Sequence, residues 1–181
     1  MDVSNRIRQK MNFYDTTAKS YDKLHEQEQT EKLNLAKQLI AKHIVINEDT
    51  KILDVGCGSG YSSNFDCDVT GIDPSSELID IAKQRYDHKF IVGKAEELPF
   101  DDNSFDIVIS LSALQNFDEV SEAIFEMKRV VNNLIVISFP NRIIKFSELK
   151  EKLEKAIKDC DLELVDTLHH RVDDFFIIKK R

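Results

Sequence analysis

Apolar residues recur along this chain in two alternating rhythms. Across 17–44, Leu33, Ala36, Leu39, Ile40, His43 and Ile44 fall at helical spacing and define one buried stripe. Short, nearly continuous apolar runs then appear at 51–55, 69–72, 89–92, 105–110 and 133–138, as expected of strands buried on both faces. Helical spacing returns between them. It predicts helices over 75–85, entered through Pro74, and over 118–131, with Val120, Ala123, Ile124 and Met127 inward. Ser147 is placed to cap a helix running to about Cys160, and 163–168 with 175–179 reads as a closing strand pair. Only a short helix fits between Gly60 and the second strand.

Alternating strands and helices predict an α/β fold with a mainly parallel sheet and helices on both faces. Ligands in such sheets bind beyond the carboxyl ends of the strands, where strand order reverses. Asp54, Asp73, Ala95 and Ser110 all lie at or just past such ends. The 181 residues suffice for one domain with a substantial core. Within it, 1–48 forms an N-terminal helical segment and 49–181 the α/β core.

Composition narrows the partners. The formal net charge is −8, which repels a phosphate backbone unless a basic patch or basic partner intervenes. Lys145, Lys150, Lys152 and Lys155 alternate with Glu148, Glu151 and Glu154, the pattern of a solvated helix face. A small-molecule or protein substrate is therefore expected, and nucleic acid only with a partner subunit. No apolar run is long enough for a bilayer. Cys57, Cys67 and Cys160 are odd in number and widely spaced, which suits a reducing cytoplasm and suggests neither a disulfide framework nor a metal site. Adjacent His169 and His170 would point to opposite faces of a strand, so they are read as surface residues. Nothing in the pattern sets the oligomeric state.

The chemistry concentrates at Leu53-Asp-Val-Gly-Cys-Gly-Ser-Gly60. Gly56, Gly58 and Gly60 permit positive φ and let a ligand approach bare backbone. Asp73 follows 19 residues after Asp54, at the end of the next apolar run, where an acid can grip ribose hydroxyls. A nucleoside-containing cofactor is implied. The dinucleotide spacing Gly-x-Gly-x-x-Gly fails in both registers, because its last glycine would fall on Tyr61 or Ser63. Asp54 at the mouth of the loop would repel a pyrophosphate and suits a cation. S-adenosylmethionine, with its ammonium and sulfonium, satisfies both conditions.

These segments resemble the class I S-adenosylmethionine-dependent methyltransferases. Asp54 to Gly60 is similar to their first motif and Val69-Thr-Gly-Ile-Asp73-Pro-Ser to their second. Gly93-Lys-Ala-Glu-Glu-Leu-Pro-Phe100 followed by Ser104-Phe-Asp-Ile-Val108 resembles the third strand's end and the fourth strand's start. The nearest likeness is to the methyltransferase type 11 group, which Tyr14-Asp-x-x-Ala-x-x-Tyr21-Asp22 also resembles. The resemblance implies a Rossmann-like three-layer sandwich of seven strands, the last antiparallel, with an N-terminal helical lid. S-adenosylmethionine would be the cofactor and S-adenosylhomocysteine the product. Cofactor contacts would come from Tyr21, Asp54, Gly56, Cys57, Gly58, Gly60, Asp73, Pro74, Ala95, Glu96 and Ser110.

The chain departs from the family at Lys94, where an acid usually accepts from the adenine amino group and a lysine cannot. Glu96 or a backbone carbonyl would substitute. Cys57 is expected to contribute backbone, its sulfur only packing. Tyr14, Gln115 and Asn116 are candidates for substrate contact. Tyr21, His25 and Asp15 are candidate bases. The chain lacks the Asn-Pro-Pro-Tyr motif of many nitrogen methyltransferases. A non-catalytic S-adenosylmethionine-binding subunit would carry the same glycine motif.

Overall fold

The computed structural model describes residues 26–181. A helix, α1, runs through 26–40 and ends in a turn over 41–43. The turn closes through tighter bonds, Lys42 N to Leu39 O at 3.2 Å and His43 N to Ile40 O at 2.9 Å. The helix therefore stops four residues before the sequence pattern ends, although Ile44 still packs on the core. Then follow β1 (Lys51–Val55), a single 3₁₀ turn (Tyr61–Ser63), β2 (Asp68–Asp73), α2 (Ser76–Arg85), β3 (Lys89–Val92) and β4 (Phe105–Leu111). A second 3₁₀ turn (Leu114–Asn116) leads to α3 (Val120–Val130), β5 (Val131–Pro140), α4 (Phe146–Asp159), β6 (Leu162–His169) and β7 (Asp173–Lys180).

The seven strands form one sheet in the order β3-β2-β1-β4-β5-β7-β6. β1 to β5 pair in parallel, and β7 runs antiparallel to both its neighbours, β5 and β6. Order reverses between β1 and β4, both extending from the middle of the sheet, so the crevice for a ligand opens above those two strands.

The near-continuous apolar strands are explained by two cores, one per face. Ile52, Ile107, Ile109, Leu134, Val136, Phe175 and Ile177 face Leu33, Ala36, Leu39 and Ile40 of α1. Their sequence neighbours Leu53, Val108, Ile135, Ile137, Phe176 and Ile178 face α3 and α4 on the other side. The period-2 alternation of strand side chains sends each apolar pair to opposite layers.

Two local expectations need correction. α4 starts at Phe146 with Lys145 at its N-cap and no side-chain cap bond, so Ser147 lies inside the first turn. Phe146 packs on Phe139, ring centroids 5.4 Å apart, and this contact fixes where the helix begins. His170 is not a surface residue: its side chain is mostly covered, with Nε2 3.3 Å from Glu31 on α1. His169 is exposed, its Nδ1 2.5 Å from Asp174. The solvated face of α4 is as expected, with Lys152 2.8 Å from Glu148 and Lys150 4.0 Å from Glu154. No helix among the described residues is long and apolar enough to cross a membrane.

Candidate functional site

A cleft enclosing about 1100 Å³ of empty space, solvent included, lies over the carboxyl ends of β1, β2 and β4. Its floor is the loop after β1. Gly56 N and Cys57 N both donate to Ile72 O, at 2.8 and 3.1 Å, which ties the loop to β2. Gly56 takes φ +76, and a β-carbon there would lie 2.4 Å from Ala113 Cβ. Gly58 takes φ +53, and the nearest atom such a carbon would meet among the described residues is Leu78 Cδ1 at 3.9 Å, so bare backbone faces the cleft.

Asp73 anchors this floor. Its Oδ2 accepts from Gly58 N and its Oδ1 from Ser75 N, both at 2.9 Å. The side chain therefore holds the loop and the entry to α2 while lining the cleft. Ser75, not Asp73, is the N-cap of α2, its Oγ accepting from Leu78 N at 3.2 Å.

Asp54 sits one layer deeper than the sequence suggested. It is fully buried and is absent from the lining, and Ser62, which does line the cleft, stands in front of it. Ser62 and Ser63 each donate to Asp54 Oδ2 at 2.6 Å. Oδ1 meets no hydrogen-bond donor among the described residues. Burial raises the Asp54 carboxyl to about 6 against the pull of the two serines, and Asp73 adds a smaller push in the same direction. A buried carboxylate with one unoccupied oxygen is costly unless a donor or cation completes it.

Cys57, Pro74, Ala95 and Glu96 line the cleft, as expected. Burial, then Asp54 and Asp73, push the Cys57 thiol up, so it stays protonated and contributes no nucleophile. Glu96 is already engaged: its Oε1 accepts from Asp118 N at 2.8 Å and Glu119 N at 3.2 Å, satisfying the start of α3. Lys94 Nζ lies 3.4 Å from Asp118 Oδ2, and Asp118 itself lines the cleft.

Three predicted residues stand elsewhere. Gly60 underlies α2, where a β-carbon would come within 3.2 Å of Ala82 Cβ and 3.4 Å of Phe90. Ser110 is buried outside the lining. Gln115 turns inward, Nε2 donating to Ser112 O at 2.5 Å, while its neighbour Asn116 reaches the cleft. Tyr14, Asp15, Tyr21 and His25 lie outside the described residues. Sequence reasoning missed Gln29, Ser62, Ser112, Phe117 and Asp118 on the lining. Of these, Asp118 had a signal, an acid at the first position of a predicted helix, and Ser112 another, its place just past the fourth strand.

At the β4 side of the cleft, a buried polar cluster joins four elements. Lys32 Nζ donates to Ser112 Oγ at 2.8 Å and pairs with Asp173 Oδ1 at 3.0 Å and Glu28 Oε1 at 2.5 Å. Ser112 Oγ donates to Asp173 Oδ2 at 2.7 Å, and Ser138 Oγ donates to the same oxygen at 2.9 Å. Lys32 and Asp173 are 1% and 0% exposed, depths at which charges persist only when paired.

The stretch that carries the glycine loop, Asp54 and Asp73 is similar to known proteins. A family model described as methyltransferase domain matches residues 53–134, from β1 into β5. Demethylmenaquinone methyltransferase of Staphylococcus aureus is 32% identical over 129 residues, 65% of this chain and 54% of that one. The chain spans about half the length of the curated relatives it matches. Magnesium protoporphyrin IX methyltransferase from Synechocystis, crystallised with S-adenosylmethionine, superposes with a TM-score of 0.77 at 15% identity, covering 97% of each chain. The complex of the Haloferax volcanii Trm112 methyltransferase activator with a methyltransferase gives 0.71 at 23% identity, over 86% of this chain and 78% of that one. Residues 53–134 thus match a methyltransferase domain, and the sheet order with its one antiparallel strand is the fold of the class I S-adenosylmethionine-dependent methyltransferases.

Proposed function

We propose that this chain binds S-adenosylmethionine in the cleft and transfers its methyl group to a small-molecule or protein acceptor. One observation carries the reading: a glycine floor that admits close backbone approach lies between Asp73 and the Ser62–Asp54 pair, whose Oδ1 has no donor among the described residues. The residues present fit the cofactor. Asp73 would accept from the ribose hydroxyls, and Asp54 with Ser62 would face the ammonium. Lys94, Ala95 and Asp118 would flank the adenine. Since Glu96 Oε1 already serves α3, Asp118 becomes the acceptor for the adenine amino group, held in place by Lys94.

When bound, the cofactor supplies a methyl group already activated by its sulfonium. The protein's task is then to orient the partners and exclude water. Gln29 lines the cleft three residues into the described chain, which supports a covering role for the segment carrying Tyr14, Tyr21 and His25. The acceptor class follows from charge: −8 overall disfavours free nucleic acid. The relative named for demethylmenaquinone supports a small-molecule acceptor. The activator-bound neighbour favours a second reading, in which a partner subunit completes the enzyme, and a basic partner would also supply the positive surface that an RNA substrate needs. Three free cysteines support a reducing, cytoplasmic setting.

Isothermal titration with S-adenosylmethionine, S-adenosylhomocysteine and NAD tests the cofactor. Binding of the first two without NAD is expected, and NAD binding alone would overturn the reading. Labelled S-adenosylmethionine added to cell extract, split into metabolite, protein and RNA pools, tests the acceptor. Label is expected in metabolite or protein. Label in RNA only after a second protein is added would establish the partner reading, and tight binding with no label anywhere would make the chain a non-catalytic binding subunit.

A further inference from the structure

Ser112 occupies an unusual position in three respects. It is a non-glycine residue at φ +57, in the left-handed region that serine rarely adopts. It lines the cleft just past the end of β4. Its hydroxyl is tied between two buried charges, Lys32 and Asp173. Backbone strain persists where surrounding structure holds it, and here Ser112 N also donates to Ser138 O at 2.9 Å.

The two charges fix the polarity of that hydroxyl. A serine hydroxyl has one proton and two lone pairs. The Lys32 ammonium can only donate, so it takes one lone pair at 2.8 Å. The Asp173 carboxylate accepts, so it takes the proton at 2.7 Å. What remains is a single lone pair. Ser112 can therefore only accept from a ligand. It cannot donate to one.

Sheet order says which ligand. Asp73 ends β2, Gly56 follows β1 and Ser112 follows β4, in that sequence across the sheet. With the nucleoside at β2 and the methionine end over the β1 loop, Ser112 stands on the acceptor side. This rests on the methyltransferase reading above. We propose that Ser112 binds the O–H or N–H group of the methyl acceptor and passes its proton to Asp173. The acceptor class is thus a protic one: a hydroxyl, an N–H amine or ring nitrogen, or an enol whose carbon becomes nucleophilic once its O–H is lost.

The step balances. A lone pair of the acceptor, or the enol carbon's π pair, forms the new bond to the methyl carbon. The carbon–sulfur bond of the sulfonium donor breaks, its electron pair remaining on sulfur. The acceptor proton moves to Ser112 Oγ, and the proton already on Ser112 moves to Asp173 Oδ2. Charge balances as well. Glu28, Lys32 and Asp173 carry −1 together, beside a sulfonium of +1. After transfer the sulfur is neutral, Asp173 is protonated, and Lys32 is still neutralised by Glu28. The local sum is zero before and after, so no charge is stranded in a buried site.

The test variant is Ser112→Gly, which removes the hydroxyl while suiting the backbone to φ +57, so the fold is retained. Without turnover, the probes are phenol and its methyl ether anisole, titrated into the protein–S-adenosylhomocysteine complex and followed by NMR. Phenol should bind several-fold more tightly than anisole, and Ser112→Gly should abolish the preference. Equal binding of the two probes, or binding of neither at millimolar concentration, overturns the proposal. With turnover measured on the extract pool that accepts label, Ser112→Gly should lose roughly a hundredfold in kcat at neutral pH. The loss should shrink tenfold per pH unit as the acceptor ionises unaided, with S-adenosylhomocysteine affinity unchanged. A loss constant across pH, or methyl found on a group that never carried a proton, also overturns it. Failure of the native protein to bind S-adenosylhomocysteine would instead strike the methyltransferase reading itself.

Discussion

The two ends of the cleft are built on opposite plans. The β2 end is local. Gly56, Gly58, Asp73, Ser75 and the serines in front of Asp54 come from one stretch of 22 residues, and their bonds span 2 to 16 positions. The β4 end is assembled from afar. Lys32 reaches Ser112 across 80 positions, Ser112 reaches Asp173 across 61, and Ser138 reaches Asp173 across 35. The first plan turns backbone and acceptors toward the cleft, while the second sets the polarity of a single hydroxyl.

The comparison breaks most readily at Lys32. Lys32→Met should strand Asp173 as a buried unpaired charge and cost on the order of 3–5 kcal/mol of stability in chemical denaturation. The affinity of the folded fraction for S-adenosylhomocysteine should stay within about twofold of native, given that the ends are separate. A tenfold loss of affinity would show them to be one coupled unit.

Asp73→Ala should do the reverse. Calorimetric affinity for S-adenosylhomocysteine should fall by about 1.5–3 kcal/mol, the value of hydrogen bonds to a charged acceptor. Unchanged affinity would remove Asp73 from the ribose site.

The pH dependence of Asp54 sharpens the picture further. Its carboxyl lies at about 6 in the fold against 3.8 for the free group. Ionising it inside the protein is therefore unfavourable. Its stabilising contribution is complete below pH 4 and is lost as pH rises through 6, on the order of 3 kcal/mol in total. Affinity for a cationic ligand should run oppositely, weakening by up to about tenfold per pH unit below 6 as the carboxylate is protonated. Asp54→Asn should flatten both profiles, and a native affinity level between pH 5 and 7 would exclude Asp54 from ammonium binding.

The smallest effect is expected at Asp118. Asp118→Ala should weaken S-adenosylhomocysteine by roughly threefold to tenfold, one ordinary hydrogen bond. The deaminated inosyl analogue, which offers no amino group, should be unaffected. Equal losses for both ligands would make Asp118 a structural partner of Lys94 and nothing more.

The same division explains what could be read from the sequence. The glycine loop and Asp73 were legible as parts of the cleft because they are neighbours in sequence, and spacing encodes their geometry. The sheet was legible because doubly buried strands leave continuous apolar runs. Asp54's depth was not legible, since Ser62 and Ser63 come between it and the cleft only through a 3₁₀ turn that no periodicity marks. Lys32 sits on a helical stripe where a charge normally faces water, and only Asp173, 141 positions later by count, makes its burial tolerable. Ser147 was misread because capping rules see the hydroxyl and not the Phe139–Phe146 contact that sets the helix start. Gln115 and Asn116 looked alike in sequence, and the direction of one short turn separated them.

The reversed direction of β7 has a consequence for how the protein is made. An antiparallel strand begins at the edge where its parallel neighbours end, so Asp173, the first residue of β7, is brought beside the end of β5 and behind Ser112. During synthesis, β1, β2 and the loop between them can pair as soon as they emerge. The Lys32–Asp173 cluster must wait for β7 to slot between β5 and β6, a late, long-range closure of the kind that slows folding. A nascent chain would thus form the glycine loop first and this buried cluster last.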